Sequence, residues 1–390
     1  MELASKGGRR MARDLNDGPA PGASDMAVPA EAGARVTLTW GLCVSTLNRI
    51  DILEDCVRRA LAQTRPPAEV VVVDASDAWE AHRDRIAPLV EAAGLPLHYV
   101  PSDRKSLTAQ RNRGLSLLSA DIAFLLDDDA LMREDCAATI MDVYERDAGG
   151  VIVGVSAMNA RGPAGTAVEK KNAGGLGAPW AQRMVTRSAA VRWVLREVLM
   201  TARDRIFIRY DDETGRRGPE AVAALGIPDI VWSQYLPGWG MTVRREVALR
   251  EPFDGTLLAY CPTEDLDASY RFARHGANVI ARNAHLDHVE VAAGRIKRRQ
   301  AAMLSVMNSA YLTRKNSKQP ARHVAIYYVY AVRRLVAEFL KDAMTGRLTF
   351  PQLQGMAEGI ARSPGIFRHD RGDLERWYEN YQRRLLSRGR

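Results

Sequence analysis

Ile122-Ala123-Phe124-Leu125-Leu126-Asp127-Asp128-Asp129 is the stretch on which the reading of the fold turns. Five apolar residues in a row read as a strand covered on both faces, so the carboxylates that close it emerge at the carboxyl edge of a sheet, where α/β proteins bind ligands. Crowded carboxylates there need a cation. Mg2+ or Mn2+, hard ions that take oxygen ligands and sit on phosphates, are the natural choice, and the implied ligand is a diphosphate. The plainer alternative is a solvated strand-to-helix turn with one Asp as its cap.

Upstream, residues 36–46 read as a first strand, and apolar Ile52, Leu53, Val57 and Leu61 share one stripe of a helix over 51–61. Val70 to Val73 form a second strand that ends in Asp74. Residues 81–93 then look helical, and 97–100 look like a third strand. The order β-α-β-α-β-α-β argues for a mostly parallel sheet with helices on both faces. It places Thr46, Asp74 and Asp127 to Asp129 along one carboxyl edge.

These residues resemble the family 2 glycosyltransferases of the GT-A fold, which transfer a sugar from a nucleoside diphosphate. The matching segments are Val44-Ser45-Thr46-Leu47-Asn48-Arg49, Val71-Val72-Val73-Asp74, Thr108-Ala109-Gln110-Arg111-Asn112-Arg113-Gly114 and Phe124-Leu125-Leu126-Asp127-Asp128-Asp129. Further on, Pro237-Gly238-Trp239-Gly240 looks like the acceptor-side segment, and Thr263-Glu264-Asp265-Leu266-Asp267 looks like the Glu-Asp motif. Each motif is short; their order and spacing carry the likeness, which covers about residues 36–290.

The resemblance implies an α/β fold with a GT-A, Rossmann-like, mixed and mostly parallel sheet, here followed by a helical C-terminal region. It also implies roles. Thr46, Asn48 and Arg49 would line the nucleotide pocket, Asp74 would bond the base, and Arg111 would lie near base or phosphates. Asp127 would contact the ribose and Asp129 the metal, with Asp128 the uncertain member of the three. Asp265 would be the general base, with Glu264 beside it on the acceptor side. One carboxylate group on a metal and another on the opposite side of the sugar suit a single in-line displacement, and inversion at the anomeric carbon is what the likeness adds.

His285 and His288 both lie where relatives carry a metal-binding histidine; residues 288–295 better resemble the family's loop, which favours His288, although a plain core or surface histidine is the alternative. Trp239 could stack on an acceptor sugar or be a core aromatic. Asp267 and Arg271, four apart on one helix, read as a surface ion pair. Ala75 and Leu47 depart from the family pattern, and the match fades between Arg161 and Tyr235, where residues 162–179 are rich in Gly and Ala and residues 185–209 read as a basic amphipathic helix.

At 390 residues and 46% hydrophobic content, the chain can hold one large α/β domain and an appendage. The expected divisions are a disordered lead over 1–34, a catalytic domain over 35–290 and a basic helical region over 291–390. Cys43, Cys56, Cys136 and Cys261 show neither close pairing nor a zinc spacing, which fits reduced thiols and a cytoplasmic setting. The charge is uneven: residues 291–390 carry 20 Lys and Arg against 7 Asp and Glu, although the whole chain nets only +8. Residues 325–340 combine that charge with an apolar stretch too short to span a bilayer, and either an anionic membrane surface or the catalytic domain could cover it.

The expected partners are a nucleoside-diphosphate sugar, a glycan or lipid-linked acceptor, and a peripheral contact with the inner face of a membrane. Nucleic acid is not expected. A nucleotidyltransferase is disfavoured because Ser45 to Arg49 is not a Gly-rich basic loop, and a non-catalytic binding protein because Asp127, Asp129 and Asp265 are all present. A processive synthase would need spanning helices, and none is legible.

Overall fold

The computed structural model describes residues 37–160, 188–199, 209–289, 296–344 and 349–387. The 1–34 lead and the Gly-rich 162–179 stretch lie outside these. Alternating strands and helices build the first half: β1 (Trp40–Thr46), α1 (Ile50–Leu61), β2 (Glu69–Asp74), α2 (Trp79–Ala92), β3 (Leu97–Pro101), α3 (Leu107–Leu117) and β4 (Ile122–Asp127). Then come β5 (Ala130–Met132), α4 (Cys136–Arg146), β6 (Ile152–Asn159), α5 (Ala189–Trp193), α6 (Gly218–Ala224), β7 (Ile230–Trp232), β8 (Gly240–Arg244) and α7 (Arg245–Arg250). The chain ends with α8 (Glu264–Phe272), β9 (Ala277–His288), α9 (Arg298–Asn316), α10 (Pro320–Met344), α11 (Pro351–Arg368) and α12 (Leu374–Ser387).

The strand order is β3-β2-β1-β4-β8-β6-β9-β5, with β7 also on β9. β1 pairs in parallel with β2 and β4, and the register sets Thr46 opposite Asp74 and Ser45 opposite Asp127. The carboxylates expected at one edge therefore share it. The antiparallel pairings of β8 with β4 and β6, and of β5 and β7 with β9, make the sheet mixed.

Alternation along each strand sorts side chains between two cores. Leu42, Val44, Val70, Val72, Phe124 and Leu126 face the layer of α1, α2 and α4. Cys43, Val71, Val73, Ala123 and Leu125 face α3, α7 and α8. A third core joins α9 to α12 and reaches into the sheet-bearing part of the chain through Tyr210, Leu257, Cys261 and Tyr270.

Two local expectations are corrected. The helix expected over 185–209 starts, within the described residues, at Ala189 behind a Ser188 cap and passes into a π-turn over Val194–Val198. Asp267 and Arg271 do pair, at 2.8 Å, but in the interior, because the loop over 252–256 and α9 cover that face of α8. The four cysteines are free and buried. Among the described residues no helix is long and apolar enough to cross a membrane.

Gly114 marks the closest approach of α3 to β1, since a Cβ there would lie 2.2 Å from Cys43 Sγ and 3.5 Å from a Val73 methyl. Gly114→Ala would gain about 1 kcal/mol of helix propensity, but overpacking costs about 1–3 kcal/mol. Net destabilisation is expected, and Cys43→Ala in the same chain should recover most of it. Urea unfolding of the wild type, the single and the double variant checks this; a Gly114→Ala chain at least as stable as wild type would refute it.

Candidate active site

Three carboxylates follow β4, and the fold gives each a different setting. Asp128 is buried and turns inward, accepting from Thr46 Oγ1 at 2.7 Å and pairing with Arg49 at 2.5 Å. Burial pushes its carboxyl up to about 7 against the pull of the Arg49 guanidinium. Asp127 and Asp129 instead converge with His288 at the end of β9, and one ligand atom from each lies within 4.8 Å of the others. The pairing of Ala130 with His288 across β5 and β9, and the Val289 N–H on the Asp129 carbonyl at 2.9 Å, bring the histidine there.

His288 Nε2 lies 3.2 Å from Asp129 Oδ1. Its Nδ1 is buried without a hydrogen-bond partner. His285 does not join the cluster; its Nδ1 meets the Asn283 carbonyl at 2.9 Å. Trp239 is half-buried and stacks on the His288 ring, with centroids 5.6 Å apart and planes at 23°. Two carboxylates and one imidazole form a donor set that a divalent cation can use.

Arg111, buried on α3, joins the parts of the site. It donates to Asp127 Oδ1 at 3.0 Å, to Glu264 Oε1 at 2.8 Å and to the Gly238 carbonyl at 2.6 Å. The Phe253 ring covers it at 5.3 Å. Asp265 lies in the first turn of α8, where the helix dipole favours an anion; its carboxylate accepts from the Gly238 N–H at 3.3 Å and its Oδ1 from the Leu266 N–H at 2.9 Å. Glu264 is buried beside it. Desolvation and the Asp265 charge push Glu264 up to about 8, while Arg111 pulls the other way.

Asp74 has three partners within the protein: it accepts from the Ser76 N–H and Tyr99 hydroxyl and meets His82 Nδ1 at 2.8 Å. Asn48, with φ of 54°, donates its N–H to Ser76 Oγ. Gln110 ties the carboxyl ends of β1 and β2 by donating to the Thr46 and Val73 carbonyls. His82, Tyr99 and Gln110 are the residues that reading the sequence missed. Gln110 lay inside a quoted motif, whereas nothing local to His82 or Tyr99 announces a partner 8 or 25 positions away.

A raised carboxyl pKa has a definite sign. Between the ordinary value of 4.5 and about 8, the unfolded chain releases the Glu264 proton while the folded chain keeps it, so this group costs stability as pH rises through that window. Glu264→Gln removes that titration and keeps an acceptor for Arg111. Its melting temperature relative to wild type should therefore climb from about pH 5 to about pH 9. A difference that stays flat or falls in a pH series of thermal melts would contradict the assignment.

Residues 42–199 match the sequence profile of Glycosyl transferase family 2. A curated relative, the glucosyl-dolichyl phosphate glucuronosyltransferase of Haloferax volcanii, is 27% identical over 113 residues, which are 29% of this chain and 36% of that protein. The match thus spans about a third of the relative's length. Mannosyltransferase PcManGT from Pyrobaculum calidifontis, solved in complex with GDP-Man and Mn2+, is similar in fold, with a TM-score of 0.50 and 14% identity over 84% of this chain and 88% of that one. With its mixed, mostly parallel sheet and its likeness in fold to that mannosyltransferase, the chain carries the GT-A fold, and over residues 42–199 it is similar to glycosyltransferase family 2.

Proposed function

We propose that this protein transfers a sugar, with inversion, from a nucleoside-diphosphate sugar to a hydroxyl of a glycan or lipid-linked acceptor in the synthesis of a surface glycan or glycolipid. The observation that carries the reading is the convergence of Asp127, Asp129 and His288 at the sheet edge, with Asp265 tied to the same site through Gly238 and Arg111. The name of the Haloferax volcanii relative, which couples glucuronosyl transfer to a glucosyl-dolichyl phosphate, supports an acceptor on a lipid phosphate. Peripheral contact of the basic C-terminal region with an anionic membrane belongs to the same reading.

Asp127, Asp129 and His288 would hold the cation, and the imidazole makes Mn2+ at least as suitable as Mg2+. Bound there, the cation supplies positive charge against the departing nucleoside diphosphate. Asp265 accepts the proton of the incoming hydroxyl. Arg111, held by Glu264 and the Gly238 carbonyl, fixes Asp127 in place and keeps the 237–240 loop against the acid-bearing end of α8. Trp239 presents an aromatic face beside His288 for a sugar ring. Thr46, Arg49 and Asp128 brace the edge from behind, and Asp74 orients His82 and Tyr99 near the nucleotide side. A nucleotidyltransferase reading gains no support, because the segment after β1 lacks a Gly-rich phosphate loop.

Two variants separate binding from chemistry. Asp129→Ala should abolish the Mn2+-dependent rise in melting temperature produced by UDP or GDP, because a ligand that binds only the folded state stabilises it in proportion to occupancy. Asp265→Asn should keep that rise yet lower transfer to polyprenyl-phosphate sugars by about 10²–10⁴-fold, the usual worth of a positioned base. An intact metal-dependent shift in the first variant would overturn the metal assignment, and near-normal transfer in the second would exclude Asp265 as the base.

A further inference from the structure

α10 is an amphipathic helix with its apolar side outward. Tyr327, Tyr330, Ala331 and Ala337 turn in toward α9 and α11 and are buried. On the other face Ile326, Val329, Val332, Val336, Phe339 and Leu340 are 37–56% exposed. Steps of three and four residues line these six up over a stripe about 20 Å long, at 1.5 Å per residue. Phe339 also stacks on Phe350, which carries the apolar character toward the start of α11. Isolated exposed apolar residues need no explanation, but a continuous stripe marks an interaction surface.

The charges on that face select the partner. Arg322 and Arg333 are exposed on the same side; Arg322 pairs with Asp212 at 2.5 Å, and Arg333 makes no ion pair among the described residues. Glu338, the acid within the stripe's span, is buried and pairs with Arg334 on the inner side. Among the described residues the stripe is therefore apolar with Arg333 as its unpaired cation, and Asp212, the acid brought to this side, is already held by Arg322. The stripe belongs to a region with 20 Lys and Arg against 7 Asp and Glu. An apolar face of this length, bordered by arginines, can lie in the plane of a bilayer interface, its apolar residues among acyl chains and its guanidinium groups on anionic headgroups.

We infer that the outer face of α10 docks this protein on an anionic lipid surface. This deepens the membrane contact proposed above by naming the surface that makes it; bringing the site to a lipid-linked acceptor rests on the proposed transfer activity, whereas adsorption itself does not. The full chain should float with vesicles of phosphatidylcholine mixed with phosphatidylglycerol, weakly or not at all with phosphatidylcholine alone, and less as salt is raised. Val332→Asp combined with Val336→Asp should weaken binding at least about tenfold through the lost apolar contact. Arg333→Glu should weaken it by about fivefold or more. Both variants alter exposed side chains, so an unchanged thermal shift with UDP or GDP and Mn2+ verifies folding and tests the donor site separately. Failure of that shift in the wild type would strike the proposed function and leave the docking result standing. Absence of vesicle binding, or binding indifferent to these substitutions, would overturn the inference. So would gel filtration showing a dimer that the double valine variant splits while vesicles are ignored, because the stripe would then be an interface between copies.

Discussion

The buried guanidinium of Arg111 is the interaction on which the rest of the site depends. An unpaired charge in the interior costs several kcal/mol, and here Asp127, Glu264 and the Gly238 carbonyl offset it from three separate segments of chain. The result is geometric. The β4 carboxylate, the loop before β8 and the first turn of α8 are held in one arrangement, so the metal-binding candidates and Asp265 keep a fixed relation. The raised pKa of Glu264 is a consequence of the same crowding: two acids and one arginine share a buried space, and the positive charge does not fully cancel the loss of water.

The loop that leads into α8 is held under backbone strain. Ala259, Cys261 and Thr263 have φ of 60°, 46° and 78°, and left-handed conformations in residues other than glycine cost about 1–3 kcal/mol each. Such a path persists only where its surroundings impose it. The C-terminal helices do so: Asn308 donates to the Pro262 carbonyl, Gln382 bonds both the Thr256 carbonyl and the Leu258 N–H, and Lys315 pairs with Asp254. The helical region is thus more than an appendage. One of its faces secures the loop that aims Asp265, while the outer side of α10 remains available to another surface.

Much of the fold was legible because its signals are local. The apolar run before Asp127, the valines before Asp74 and the helical stripe after Asn48 each state their own periodicity, and the parallel order follows from their alternation. The antiparallel part of the sheet was less legible, since β5 and β7 are three residues each and acquire their meaning only against β9. Within the site, His288 was favoured over His285 from its local sequence, and it is His288 that meets Asp127 and Asp129. What could not be read were pairings between distant residues. Arg111 and Glu264 are 153 positions apart. The i, i+4 spacing of Asp267 and Arg271 predicted their pair, but burial of that pair depends on α9 and the 252–256 loop, which no helical period encodes.

In the proposed function, Asp127, Asp129 and His288 form a cation site that faces Asp265 across the place where a sugar is transferred. Anomalous scattering at the manganese edge, from crystals grown with Mn2+ and either UDP or GDP, tests it most directly. The expected result is a manganese peak among Asp127, Asp129 and His288, with the diphosphate on the same ion and Asp265 on the far side of the site. A peak held by other residues, or a nucleoside diphosphate bound at the sheet edge with no metal beside it, would contradict the account.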